Sequence, residues 1–357
     1  MEAVCLLSNN KTASCKTKYI STIKLDKDLY TPDDMGDLSD LKGQWILKRA
    51  LEIAAAGRHN LFLFGPPGCG KTMSIKRLAT ILPQLNRQES LSVTQIHSIA
   101  GLLTEHMGLI RNAPFRMPHH TASAEGIIGG GKITKPGEVS LAHEGILFLD
   151  EAPEFKKNLL QALREPIETE KAIISRAGLS VWFPASFQLS MTANPCPCGN
   201  LGRPEAVCFC SKADVYRYWK KMGGALLDRI DIRIPVSPVT TKEIAGEKGE
   251  SSKTVRERVE KAVYIQNDRY KEFNFSRNSK IPPGLIDKYC YLDKKCSNLL
   301  AKALDKLSIS SRACHSILKV ARTIADLSTS ENIIPDHILE AIQHRRYGDG
   351  DYFWKFG

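Results

Sequence analysis

The chain has 357 residues, of which 42% are hydrophobic, with a formal net charge of +11 and an isoelectric point near 9.1. This size supports two domains with packed cores, and the absence of an eighteen-residue apolar run excludes a membrane-spanning helix. The first residues lack the pattern of a secretory signal, so we expect a cytoplasmic protein whose ten cysteines are thiols or metal ligands rather than disulfides. The positive charge favours a polyanionic partner such as nucleic acid, although many basic proteins bind none.

The chain begins with residues 1–38, which are polar and aperiodic and are predicted to form a loosely ordered extension. The next stretch, "DLSDLKGQWILKRALEIAAAG", predicts a helix with Gly57 as its C-cap. Its apolar residues recur at three- and four-residue steps and are Leu41, Leu47, Ala50, Leu51 and Ala54. The run "LFLF" at 61–64 then predicts a strand buried on both faces.

Further apolar runs predict strands at 146–150, 187–193 and 230–236. Strands that alternate with helices predict an α/β core, a parallel sheet flanked by helices on both sides, over residues 39–240. A polar linker follows, and helical periodicity then predicts an all-α domain at 251–347, with a tail at 348–357.

The segment "GPPGCGKT" matches the phosphate-binding pattern G-x-x-x-x-G-K-[ST] between a predicted strand and a predicted helix. Its glycines let the backbone N–H groups point at phosphate oxygens, its lysine offers a positive charge, and its threonine offers a hydroxyl to magnesium. We expect ATP to bind through this loop, which consists of Gly65, Pro66, Pro67, Gly68, Cys69, Gly70, Lys71 and Thr72. A plain small side chain is the favoured interpretation of Cys69, and a low-pKa redox thiol is the alternative.

The strand predicted at 146–150 ends in two acidic residues, as the second half of an ATP site requires. Asp150 is placed to hold magnesium through water, and Glu151 is placed to take a proton from the attacking water. Two acids that merely end a strand at the surface are the alternative.

Four cysteines follow the strand predicted at 187–193, in the segment 195–211. Cys196, Cys198, Cys208 and Cys210 form the pattern C-x-C-x9-C-x-C. Four thiolates can close a tetrahedral zinc site with no open position, so we predict a structural zinc loop without a catalytic role. An iron–sulfur cluster and unliganded thiols are the alternatives.

With both halves of the ATP site in view, the chain resembles the magnesium-chelatase-related ComM/YifB family of AAA+ ATPases. The resemblance rests on five blocks in the same order and covers about residues 36–345. The blocks are "KGQWILKRALEIAAAGRHNLFLFGPPGCGKT", "FRMPHHTASAEGIIGGGKITKPGEVSLAHEGILFLDE", "TANPCPCG", "LLDRID" and "SSRACHSILKVARTIADL". The resemblance implies a P-loop AAA+ core with a C-terminal helical lid, assembled as a hexameric motor that migrates DNA branches and is linked to natural competence.

The resemblance also implies roles for three further residues. Asn194 falls on the sensor-1 position, which helps to orient the attacking water. Arg229 falls on the arginine-finger position, which reaches the ATP of the neighbouring subunit, and Arg312 falls on the sensor-2 position of the lid. Arginine suits both positions because its guanidinium can contact a γ-phosphate with two donors.

Members of the family usually carry a further N-terminal domain that resembles the Lon protease domain, where this chain has 38 unpatterned residues. This departure indicates a short version of the protein, or a front half that has been lost or is encoded separately. A DNA helicase or branch-migration motor is the favoured function. The alternatives are a motor subunit of a metal chelatase and a protein remodeller, although the segment "GIIGGGKITKPGE" does not match the remodellers' G-A-F-T-G-A-like loop.

The segment "EKAIISRAGLSVWFP" predicts a β-hairpin that turns at 177–178. In related AAA+ proteins a hairpin at this place projects into the central pore of the ring. Lys171 and Arg176 on the hairpin, with Lys132 and Lys135 on the preceding loop, are therefore predicted to contact DNA phosphates without sequence preference.

Overall fold

The computed structural model describes residues 35–345 apart from 104–107, 132–133, 177–178, 204–205, 241–242, 244, 247 and 308–309. The predicted extension 1–38 lies outside the described residues as far as residue 34, and the predicted tail lies outside them entirely. In the described part of the chain, no helix is long and apolar enough to cross a membrane.

Strands and helices alternate along the first two thirds of the chain, and the described residues after them form helices without further strands. The strands are β1 (Leu61–Phe64), β2 (Phe115–Arg116), β3 (Gly129–Gly130), β4 (Lys135–Pro136), β5 (Ile146–Leu149), β6 (Lys171–Arg176), β7 (Leu179–Pro184), β8 (Gln188–Ala193) and β9 (Ile232–Pro235). The helices before residue 240 are α1 (Trp45–Gly57), α2 (Lys71–Thr80), α3 (Arg87–Ala100), α4 (Ala124–Ile128), α5 (Glu138–Leu141), α6 (Lys157–Ala162), α7 (Arg164–Thr169), α8 (Lys212–Lys220) and α9 (Gly224–Leu227). Those after it are α10 (Ser252–Arg269), α11 (Ile286–Tyr289), α12 (Lys294–Leu307), α13 (Ser311–Leu327) and α14 (Pro335–Arg345).

The main sheet has five parallel strands in the order β2-β5-β8-β1-β9. Alternate residues of its strands enter two separate cores, so helices cover both faces of the sheet. In β1, Leu61 and Leu63 face the core that includes α1 and α13, whereas Phe62 and Phe64 face the core that includes α6. The predicted fold class, a parallel α/β core followed by helices, is confirmed.

The start and the C-cap predicted for the first helix are wrong. Helix α1 begins only at Trp45, and Gly57 remains helical while Arg58 takes the left-handed C-cap conformation with φ 53°. Glycine is needed at position 57 for another reason. A Cβ atom there would lie 2.2 Å from the ring of His59 and 2.6 Å from Thr323 Oγ1. Close packing, which the sequence pattern does not reveal, therefore selects this glycine.

Asp231 joins the sheet to the C-terminal helices at the point where β9 is about to begin. It accepts hydrogen bonds from Ser316 Oγ on α13 at 2.6 Å and from the Asn60 amide before β1 at 3.2 Å. Burial opposes ionisation of this carboxyl, but the nearby His59 ring, 3.5 Å away, and the hydrogen bond from Ser316 outweigh that effect and hold its pKa at about 2. The charged form of Asp231 therefore fixes the start of α13 against the sheet.

Replacing this carboxylate tests its contribution to the fold. We expect Asp231→Asn to lower the free energy of unfolding at pH 7 by about 2 kcal/mol, the equivalent of a pKa lowered from 3.8 to about 2. Because the folded-state pKa is the lower one, the contribution is complete above pH 4 and is lost as the pH falls towards 2. Urea unfolding from pH 7 to pH 3 measures it, with Asp228→Asn as the control. A similar loss in both variants would contradict this role.

Candidate functional site

The segment 65–72 joins β1 to α2, as the motif predicted. A Cβ atom on Gly65 would lie 2.1 Å from the Val236 carbonyl oxygen, so only glycine fits there. Gly68 and Gly70 have φ values of 81° and 88°, a region that other residues enter only at a cost. The loop thus turns tightly into the N-terminus of α2, where backbone N–H groups and the helix dipole favour an anion.

Lys71 lies at the centre of this loop. Its Nζ donates to the carbonyl oxygens of Gly65 at 2.6 Å and Pro66 at 2.8 Å, and to Asn194 Oδ1 at 3.2 Å. Burial lowers the pKa of Lys71, because the ammonium group loses part of its hydration. The lysine is therefore held beside the loop by oxygen atoms that phosphate oxygens can replace.

The carboxylate of Asp150, just after β5, accepts hydrogen bonds from two hydroxyl groups. Thr72 Oγ1 donates to its two oxygens at 3.1 and 3.0 Å, and Thr192 Oγ1 donates at 2.5 Å. Hydroxyl and carboxylate oxygens are the ligands that magnesium prefers, so the predicted pair Thr72 and Asp150 fits the ion. Thr192 could not be identified from the sequence, in which it is one of three polar residues in its strand.

Glu151 and Asn194, predicted separately, lie side by side at the same sheet edge. Asn194 Nδ2 is 3.3 Å from Glu151 Oε1, and the Glu151 amide donates to Thr192 Oγ1 at 2.9 Å. Glu151 has φ 52° and ψ 52°, a strained conformation for a residue with a side chain. This backbone turn leaves the Glu151 side chain exposed, next to the lysine and the magnesium-type ligands.

Cys69 is buried in the loop, and burial raises the pKa of its thiol. A redox-active cysteine requires the opposite shift. The structure therefore fits the interpretation of Cys69 as a small packing residue and gives no support to a reactive thiolate.

The four predicted cysteines converge. The sulfur of Cys196 lies 3.4 Å from that of Cys198 and 3.6 Å from that of Cys208, which is also 3.6 Å from Cys198. All four sulfurs, including Cys210, lie within 4.8 Å of one another. Tetrahedral zinc with bonds of about 2.3 Å places its sulfurs about 3.8 Å apart, so the donor set fits a zinc site with four cysteine ligands.

The cysteine cluster rests directly on the phosphate-binding loop. The Gly199 backbone packs closely on Pro67, since a Cβ atom added at Gly199 would lie only 2.9 Å from the Pro67 ring. The start of the cysteine segment is also held by Trp219, whose Nε1 donates to the Pro195 carbonyl oxygen at 3.0 Å. A backbone hydrogen bond from Asn200 lowers the pKa of Cys198, whereas burial raises the pKa of the other three thiols. Residues 204–205, between the two cysteine pairs, lie outside the described residues.

The two predicted arginines meet at the amino-terminal ends of the strands, which we call the arginine edge of the sheet. Segment 65–72 lies at the carboxyl-terminal ends, the loop edge. Arg229 precedes β9, whereas segment 65–72 follows β1, and the parallel register pairs Leu61 with Ile232. Arg229 Nη2 and Arg312 Nη2 both donate to Glu168 Oε1, at 2.5 and 2.6 Å. The structure thus brings the arginines together but separates them from the phosphate-binding loop of the same chain. Glu168, on α7, was not predicted, because no local pattern marks it.

A cleft of about 720 Å³ lies beside the arginine pair, between the sheet edge and the C-terminal helices. Arg229, Arg312, Lys280 and Lys319 line it. Burial lowers the pKa of Lys319. The cleft is also lined by the carboxylates of Glu168, Glu170, Asp228 and Asp231, so its charge is mixed.

The predicted hairpin is present as the antiparallel pair of β6 and β7, in which Ser175 pairs with Ser180. Lys171 Nζ lies 4.6 Å from the centre of the exposed Trp182 ring. Lys135 is exposed on β4. The predicted turn at 177–178 and Lys132 lie outside the described residues, as does the side chain of Arg176.

Two family models match this chain. The model described as "Magnesium chelatase, subunit ChlI" matches residues 37–244, and the model of the C-terminal part of the same subunit matches residues 249–345. Together they cover both the parallel sheet and the helices after it.

Similar proteins agree with these models. Competence protein ComM of Haemophilus influenzae is 44% identical over 313 residues, which cover 87% of this chain and 60% of that protein. Uncharacterized protein YifB of Salmonella typhimurium is 41% identical over 96% of this chain and 67% of that protein. The magnesium-chelatase 38 kDa subunit of Rhodobacter capsulatus is 25% identical over 44% of this chain and 49% of that subunit.

The chain spans about three fifths of the length of its ComM relative. Two family models in sequence and relatives above 40% identity identify the family. The chain belongs to the magnesium chelatase subunit ChlI family of AAA+ proteins, within the group that contains ComM and YifB.

Proposed function

We propose that this chain is an ATP-hydrolysing AAA+ motor module that acts on DNA as a helicase or branch-migration motor. One observation carries the proposal of a motor: the nucleotide-type loop and the arginine pair lie at opposite edges of a single parallel sheet. β1 alone has four residues at about 3.3 Å each, and Arg229 lies beyond its far end. The arginines therefore cannot serve the loop of their own chain.

Copies arranged head to tail solve this geometric problem, since each interface then joins one loop edge to one arginine edge. We propose a hexamer of this kind, with the helical region 251–347 as a lid on the 39–240 core. The cleft beside Arg229 and Arg312 is the space into which the γ-phosphate of a neighbouring copy would project. Two guanidinium groups there would stabilise the charge that develops during phosphoryl transfer.

Within one chain, the proposed roles follow from the contacts. The loop amides and Lys71 bind the phosphates, with Lys71 exchanging its carbonyl partners for phosphate oxygens. Thr72 and Asp150 hold magnesium, which when bound would neutralise phosphate charge. Glu151 takes a proton from the attacking water, and Asn194, 3.3 Å away, orients the same water.

DNA as the partner is proposed from three observations. These are the similarity to a competence protein, the net charge of +11, and the exposed Lys171 and Lys135 near the β6–β7 hairpin. A chelatase motor subunit is the alternative, but the magnesium-chelatase 38 kDa subunit of Rhodobacter capsulatus is only 25% identical over 44% of this chain. We further propose that one structural zinc ion binds to Cys196, Cys198, Cys208 and Cys210 and holds the cysteine segment 195–211 against Pro67.

The DNA partner is tested by ATPase assays with forked, single-stranded and duplex DNA. We expect DNA to stimulate the wild-type ATPase, and expect the double variant Lys135→Ala/Lys171→Ala to lose most of that stimulation, because it removes two phosphate contacts. Its ATPase without DNA should persist. The control is Lys261→Ala/Lys302→Ala, which removes equal charge from exposed positions on α10 and α12.

Two outcomes would contradict the DNA proposal in different ways. A wild-type ATPase that none of the three DNAs stimulates would argue against a DNA motor. Normal stimulation of the Lys135→Ala/Lys171→Ala variant would leave the motor intact and place the DNA contact elsewhere.

Elemental analysis of the purified protein tests the zinc site. We expect about one zinc per chain, lost in Cys196→Ser/Cys208→Ser together with thermal stability, because metal binding contributes to folding. Cys314→Ser, a cysteine on α13 outside the cluster, should retain the metal. Iron in place of zinc would favour an iron–sulfur cluster, and four freely reactive thiols without metal would contradict a metal site.

A further inference from the structure

Glu168 is the common partner of the two arginines that the proposed mechanism needs. It lies near the end of α7, and its single oxygen Oε1 accepts from Arg229 at 2.5 Å and from Arg312 at 2.6 Å. The two arginines come from segments 83 residues apart in the chain, the turn before β9 and the start of α13. One carboxylate therefore joins the core to the helical region at the arginine edge.

The two guanidinium groups contact the same carboxylate oxygen, so their positive charges lie close together and repel each other. Burial, followed by the charge of Arg312, lowers the pKa of Arg229. The hydrogen bond from Arg312 has the largest effect on the Glu168 carboxyl and lowers its pKa. The negative charge of Glu168 is thus what permits two positive charges to lie together.

The two arginines differ in how firmly they are held. The Arg229 side chain is only 8% exposed and also donates to the Ala225 carbonyl oxygen. The Arg312 side chain is 47% exposed, and Glu168 supplies its one hydrogen bond among the described residues. Without Glu168, repulsion from Arg229 would move the long Arg312 side chain into solvent.

We propose that Glu168 is a positioning residue that holds Arg312 beside Arg229 as a ready-made pair for the γ-phosphate of a neighbouring copy. This inference rests on the proposed function, because it concerns the same site between copies. Glu168 acts through the two arginines that it binds. Its effect is to order the pair before the phosphate arrives, which lowers the entropy cost of reaching the transition state.

The test compares Glu168→Gln with Glu165→Gln, which removes the same charge from an exposed position on the same helix. We expect Glu168→Gln to reduce kcat for ATP about ten- to a hundred-fold with little change in KM, as misplaced groups do. Glu165→Gln should behave as wild type. Glu168→Asp, which keeps the charge, should retain more activity than Glu168→Gln. Circular dichroism checks that each variant is folded.

A double-mutant cycle separates positioning from a general structural role. If Glu168 acts by holding Arg312, then Glu168→Gln should add little to the loss caused by Arg312→Ala. Additive losses, an unchanged kcat or a raised kcat in Glu168→Gln would each overturn the inference.

The Arg229→Ala variant distinguishes a failure of the inference about Glu168 from a failure of the proposed function. Full turnover in Arg229→Ala would contradict the arginine mechanism itself. Lost turnover in Arg229→Ala with normal turnover in Glu168→Gln would overturn only the role of Glu168.

Discussion

The direction of the strands is the constraint on which the other features depend. All five strands of the main sheet are parallel, so every segment that follows a strand lies at one edge and every segment that precedes a strand lies at the other. Segment 65–72, Asp150 and Asn194 follow strands, whereas Arg229 precedes one. The loop and Arg229 are therefore kept apart within one chain, and under the proposed function they meet between copies.

Each edge is reinforced by interactions that reach beyond the sheet. At the loop edge, the cysteine cluster packs on Pro67 and begins two residues after Asn194, so a bound metal would hold both in place. At the arginine edge, Asp231 fixes α13 through Ser316, and Glu168 then links Arg312 on that helix to Arg229. The position of the helical region thus bears directly on the proposed chemistry.

Features encoded by residues close together in sequence could be predicted. The phosphate-binding loop, the strand ending in Asp150 and the β6–β7 hairpin each depend on a short pattern of residues, and the structure contains them. The convergence of the four cysteines could also be predicted, because two C-x-C pairs nine residues apart require only a short turn. Sequence spacing and local geometry are sufficient in these cases.

Features that depend on contacts between distant segments could not be predicted. Thr192 contacts Asp150 only because β8 lies beside β5, and Glu168 bridges two arginines that no local pattern connects to it. Gly57 follows a C-cap pattern, yet it is required by packing against His59 and Thr323. In each case the decisive neighbour lies in another element, and the strand order or helix position that brings it there is absent from the local sequence.

Mixing two inactive variants tests the central claim, that each active site is shared between copies, most directly. Lys71→Ala removes the lysine proposed to bind phosphate, and Arg229→Ala removes the arginine at the opposite edge. In an equal mixture that exchanges subunits at random, about one quarter of the interfaces join an intact loop to an intact arginine. The account predicts that each variant alone is inactive and that the mixture recovers up to about a quarter of wild-type ATPase activity. A mixture of exchanged subunits that stays inactive, or an Arg229→Ala variant that turns over ATP normally by itself, would contradict it.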